Sequence, residues 1–106
     1  MSIQILNNKN FEEESTKEKI GVVNFHAISW CTPCKTLAPL FKQLSEEIKD
    51  ANFYEVDVES EIELAKKFSI MSVPTIVILK NGQEIVRING FSNKENLKSA
   101  ILSKIK

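Results

Sequence analysis

An α/β domain, a central mixed β-sheet of about five strands flanked by about four helices, is predicted by three features of the sequence. The nearly unbroken apolar run Ile20-Gly21-Val22-Val23-Asn24-Phe25-His26-Ala27 reads as a strand buried on both faces. A helical period follows it at once, and a second β-rich run appears before residue 60. Later, two more β-rich runs are joined by Asn81-Gly82, a pair suited to a type I′ hairpin turn. The predicted order is βαβαβαββα, which places helices on both faces of the sheet.

The elements follow in turn. Ile3 to Leu6 is a short strand, and a helix follows Asn10. After the buried strand at 20–27, apolar positions recur at Leu37, Ala38, Phe41, Leu44 and Ile48, the period of an amphipathic helix. Pro39 falls inside that helix and is expected to kink it, because it lacks an N–H and crowds the Lys35 carbonyl. Asn52 to Val58 reads as the next strand, and Ser60-Glu61-Ile62-Glu63 as a capping box opening a short helix to about Phe68. The crossover rule makes the two strands of this unit parallel neighbours or near-neighbours. Val73 to Lys80 and Gln83 to Asn89 form the antiparallel hairpin. Ser92-Asn93-Lys94-Glu95 is a second capping box, and Leu97, Ala100, Ile101 and Ile105 stripe the closing helix.

A chain of 106 residues makes one domain, 1–106, with a core large enough to need no staple. Fourteen basic residues balance fourteen acidic ones, so no charge recruits nucleic acid or an anionic membrane surface. No apolar run reaches the roughly 18 residues of a membrane span, and the first ten residues lack a cationic stretch leading into an apolar one. A soluble, cytoplasmic protein is expected.

Both cysteines lie in Cys31-Thr32-Pro33-Cys34. Closing so short a loop removes little unfolded-chain entropy, roughly 2 kcal/mol at most, so the pair is a poor structural staple. A zinc site needs four ligands; two Cys and the single His26 fall short unless a dimer supplies more. Redox chemistry fits better. Cys31 lies where strand hands over to helix, so its sulfur faces unpaired N–H groups and the positive end of the helix dipole. Lys35 adds a cation, and both favour the thiolate over the thiol. Cys34, nearly one turn on and on the apolar stripe, is expected to be the less exposed. One sulfur then attacks an external disulfide and the other resolves the product.

Trp30-Cys31-Thr32-Pro33-Cys34-Lys35, Leu37-Ala38-Pro39, Val73-Pro74-Thr75, Lys80-Asn81-Gly82 and Gly90 together resemble the motifs of the thioredoxin family, in order and spacing across most of the chain. The resemblance implies the thioredoxin fold, a cis Pro74 facing the cysteines, dithiol–disulfide exchange on protein substrates and re-reduction by a thioredoxin reductase. It also implies an apolar docking rim of Trp30, Val73, Pro74, Gly90 and Phe91, with Met71 nearby. Four departures stand out. Thr32 replaces the family's usual Gly, Asn24 its buried Asp, and Glu55 its Lys; the path from Asn24 to Trp30 is also one residue longer.

The expected function is that of a small monomeric protein-disulfide reductase, an oxidoreductase of electron transport and cell redox homeostasis. Cys31 is the nucleophile and Cys34 the resolving thiol, with no cofactor beyond their redox-active disulfide and no metal. Trp30, Thr32, Pro33, Lys35, Asn24 and Glu55 tune the site. Asn24 cannot accept the proton that Cys34 must lose, so Glu55, on the same strand face as Phe53 and Asp57, is expected to face Asn24 and assist. His26 reads as a packed or hydrogen-bonded side chain. Two alternatives remain: a redox partner dedicated to one pathway, and a non-catalytic binding subunit on the same fold.

Overall fold

The computed structural model of the chain describes residues 3–15, 20–89 and 93–105. Its elements are β1 (Ile3–Ile5), α1 (Phe11–Ser15), β2 (Ile20–His26), α2 (Thr32–Glu47), β3 (Ala51–Asp57), α3 (Ile62–Lys67), β4 (Thr75–Lys80), β5 (Gln83–Asn89) and α4 (Lys94–Ile105). The predicted order holds throughout. All seven residues of β2 are buried, as its apolar run requires, and β2 sits at the centre of a sheet ordered β1-β3-β2-β4-β5. β3 runs parallel to β1 and β2, while β4 is antiparallel to β2 and to β5.

Strand alternation sends side chains to two cores. Val22, Phe53, Ile76 and Ile78 pack beneath α2 and α4 with Leu37, Phe41, Leu44, Leu97 and Ile101. Val23, Phe25, Tyr54, Val56, Val77 and Leu79 pack on the opposite face with Phe11 of α1 and Leu64 of α3. The same alternation assigns Asn24, His26, Glu55 and Asp57 to the α2 face. That face thus turns from apolar to polar toward the C-terminal ends of β2 and β3.

The boundaries differ from the sequence reading in instructive places. β3 begins and ends one residue early, and β4 starts at Thr75 rather than Val73, since Pro74 offers no N–H to a ladder. α2 runs unbroken across Pro39. The Asn81-Gly82 turn has positive φ at both residues, 54° and 81°, as type I′ geometry demands. β5 carries a bulge opposite Ile78 and Leu79.

The first capping box does not form as read. Glu61, not Ser60, occupies the N-cap of α3 and makes no side-chain cap bond. The cap comes from the β1–α1 loop instead: Leu64 N–H donates to Asn8 Oδ1 at 3.1 Å, and Asn8 N–H donates to Glu61 Oε1 at 3.0 Å. At α4, Asn93 caps by accepting from Asn96 N–H at 2.8 Å. Ser92 lies outside the described residues.

Candidate active site

The site is built where β2 ends and α2 begins. Trp30 and Cys31 N–H groups both donate to the Ala27 carbonyl, at 3.3 and 2.9 Å, folding residues 27–31 into a tight turn. Ser29 Oγ donates to Glu59 Oε1 in the loop after β3, which ties the longer approach to a second segment. No local pattern announces this partnership across 30 residues.

Cys31 is the N-cap residue of α2, with φ −90° and ψ 105°. Its Sγ accepts the Cys34 N–H at 3.2 Å, in the place that an Asp or Ser oxygen takes at an ordinary helix start. Thr32 and Pro33 occupy the exposed first turn, where a proline sacrifices no helical hydrogen bond. Lys35 points outward, and its N–H donates to the Cys31 carbonyl at 3.1 Å. A negative sulfur at position 31 therefore meets a backbone donor and the positive end of a 16-residue helix.

Cys31 and Cys34 are joined as a disulfide, with 5.2 Å between their Cα atoms. Cys34 is 0% exposed and Cys31 3%, so Cys31 holds what little surface the pair has. Both pack with Ala27, against partly buried Val58 and Val73. On the open side, Val73 belongs to the loop entering β4, and its carbonyl oxygen lies 3.7 Å from Cys31 Sγ. The Val73–Pro74 peptide is cis. Buried Thr75 anchors this loop, its Oγ1 donating to the Ser72 carbonyl at 2.7 Å and lying 3.2 Å from Asn89 Oδ1.

Several apolar side chains adjoining Cys31 and Val73 in the chain are exposed. Trp30 is 62% exposed and Met71 93%, with Ile28 also exposed and Val73 half-buried. Gly90 and Phe91, expected to complete the rim, lie outside the described residues.

Two polar side chains lie on the α2 face of β2. Asn24 is fully buried, and among the described residues neither its Oδ1 nor its Nδ2 has a hydrogen-bond partner. His26 is 7% exposed, and its Nδ1 is buried with no partner among the described residues. Glu55 stands level with Asn24 in the β2–β3 register, but the unpartnered amide means that no hydrogen bond joins the two. Glu55 is half-buried.

The family model described as Thioredoxin matches residues 2–103. The chain belongs to the thioredoxin family. Thioredoxin-1 of Saccharomyces cerevisiae is 35% identical over 101 residues, covering 95% of this chain and 96% of that protein. The thioredoxin of Staphylococcus saprophyticus is 34% identical, with the same two coverages. Among solved structures, the thioredoxin of Malassezia sympodialis superposes with a TM-score of 0.89 at 31% identity, covering 98% of this chain and 91% of that one. A thioredoxin of Nicotiana alata gives a TM-score of 0.87 at 29% identity, covering 99% and 94%. With a Cys-x-x-Cys pair at disulfide distance on the thioredoxin fold, the chain is a protein-disulfide oxidoreductase working by dithiol–disulfide exchange.

Proposed function

We propose that the chain works as a general reductant of protein disulfides, with Cys31 as the entering nucleophile and Cys34 as the resolving thiol. The observation that carries this reading is the Cys34 N–H aimed at Cys31 Sγ at 3.2 Å, on a helix whose Cys34 side chain is wholly enclosed. The Cys31 thiolate attacks one sulfur of the substrate disulfide, forming a mixed disulfide and expelling a substrate thiolate. Cys34 loses its proton and attacks Cys31 Sγ. The Cys31–Cys34 bond forms, the bond to substrate breaks, and the second substrate sulfur leaves as a thiolate that is then protonated. Two electrons have passed from the chain to the substrate.

The oxidised pair must then be reduced, and a thioredoxin reductase is the partner that family membership favours. Trp30, Val73 and Pro74, with Gly90 and Phe91, form the docking rim in this reading, while Thr32, Pro33 and Lys35 adjust the first turn around the thiolate. The work belongs to cytoplasmic electron transport and redox homeostasis. None of the helices among the described residues is long and apolar enough to cross a membrane.

Insulin reduction driven by NADPH and a thioredoxin reductase tests the proposal. Turnover should be lost in Cys31→Ser, and Cys34→Ser should accumulate substrates bound to Cys31. Limiting iodoacetamide at neutral pH should label Cys31 first. Labelling of Cys34 first would reverse the assignment, and full function of Cys31→Ser would leave a binding subunit.

A further inference from the structure

The exchange reaction leaves one proton without a stated destination. Cys34 is completely buried, so bulk water cannot take its proton directly, and Asn24 cannot take it because an amide does not ionise near neutral pH. We propose that His26 receives this proton when Cys34 resolves the mixed disulfide, directly or through one water held by the Asn24 amide. The proposal rests on the exchange mechanism above.

Placement supports it in three ways. Cys34 packs with Ala27 and against Val58. His26 precedes Ala27 in the chain, and its carbonyl accepts the Val58 N–H at 2.9 Å, so its backbone adjoins two of the residues that enclose Cys34. By strand alternation, the imidazole lies on the face that α2 covers, beyond Asn24 and toward the helix start. Finally, its Nδ1 is buried with no partner among the described residues, as are both polar atoms of Asn24. A protein rarely encloses polar atoms without giving them a bridging water or a task, and a neutral imidazole has one nitrogen free to accept.

The charged neighbours suit a transient imidazolium. On β3, Asp57 is the register partner of His26, and Glu55 that of Asn24. Asp57 Oδ1 accepts the Glu59 N–H at 2.8 Å, and Glu59 itself binds Ser29. On β4 the same face presents Ile76 and Ile78, and α4 adds Leu97 and Ile101. α2 presents Leu37 and Phe41 and turns Lys35 to solvent. Between the two ionisable side chains that flank Asn24, His26 is the more deeply enclosed, and Glu55 is half-buried.

In the balanced step, neutral His26 gains the proton of the Cys34 thiol, and the Cys34 thiolate displaces the substrate sulfur from Cys31. The imidazolium then returns the proton to the departing thiolate or to solvent. Imidazole chemistry suits this task because it both gains and loses a proton readily between pH 5 and 8.

Rapid-quench kinetics with a disulfide substrate separate the two steps. His26→Asn, which keeps a polar side chain but cannot ionise, should form the mixed disulfide at the normal rate. It should resolve it about tenfold or more slowly at pH 7, with a flattened profile between pH 5 and 8. Glu55→Gln, measured in parallel, reads the contribution of the carboxylate level with Asn24. A His26→Asn variant with the wild-type rate and profile overturns the proposal; slow resolution confined to Glu55→Gln transfers the role to that carboxylate. Failure of the wild type to form a mixed disulfide would sink the exchange mechanism instead, a separate outcome. A second measurement needs no altered histidine: His26 is the chain's single histidine, so its imidazole nitrogen signals are unambiguous by NMR. Its titration midpoint in the reduced protein should move on Cys34→Ala, and an unmoved midpoint would also reject the coupling.

Discussion

Asn8 holds the start of a helix 56 residues away, its Oδ1 accepting the Leu64 N–H at 3.1 Å. Ser60, the residue that local sequence nominates for the cap, instead makes a long 3.4 Å bond to the Asp57 carbonyl. Asn8→Ala should therefore lower stability by about 1 kcal/mol, and Ser60→Ala by much less. Urea unfolding of the two variants decides it, and equal losses would return the cap to Ser60.

Ser69 follows α3 with φ 51°, a left-handed conformation that costs a side chain with Cβ. Its N–H donates to the Lys66 carbonyl at 3.0 Å, and Ile70 N–H to the Ala65 carbonyl at 2.9 Å, the two bonds of a Schellman ending. Ser69→Gly should raise stability by about 0.5–1 kcal/mol, net of the freedom glycine adds to the unfolded chain. A lowered thermal midpoint in the glycine variant would contradict this account.

Glu47 clasps α2 to α4. Hydrogen bonds from Lys94 and Lys98, at 2.6 and 2.9 Å, pull its carboxyl from the ordinary 4.5 down to about 2. Because the folded value is the lower one, the stabilisation is complete above pH 4.5 and is lost as pH falls toward 2. The urea midpoint of the wild type should exceed that of Glu47→Gln at pH 7 and converge with it at pH 2. The pair is exposed, so high salt should also shrink the gap. A gap that persists at pH 2 would point to packing rather than charge.

Trp30, next to Cys31 in the chain, and Met71, two residues before Val73, both expose apolar surface. Trp30→Ala and Met71→Gln should raise KM for protein disulfides about three- to tenfold with little change in kcat, through lost apolar burial on docking. A small symmetric disulfide should react as before. Slowing of both substrates alike would place the effect on the cysteines instead.

Much of this was legible in the sequence because it depends on short-range pattern. The run at 20–27 specifies a central strand, Asn81-Gly82 a hairpin, and the cysteine spacing puts one sulfur on the helix cap and the other under the helix. The partnerships of Asn8 with Leu64 and Ser29 with Glu59 were not legible, since each is made only when distant segments meet. A lone histidine in an apolar run says little by itself, and the burial of His26 Nδ1 without a partner among the described residues is visible only in the fold.

The margins of the sheet have their own consequence. At one side lies β1, three residues long among the described residues, and at the other lies β5, whose ladder is broken by a bulge. Short and interrupted borders are poor templates for further strands, so the fold discourages chain-to-chain sheet growth. A dithiol–disulfide exchange protein built this way can be concentrated and cycled between its two oxidation states without seeding fibrils from its own edges.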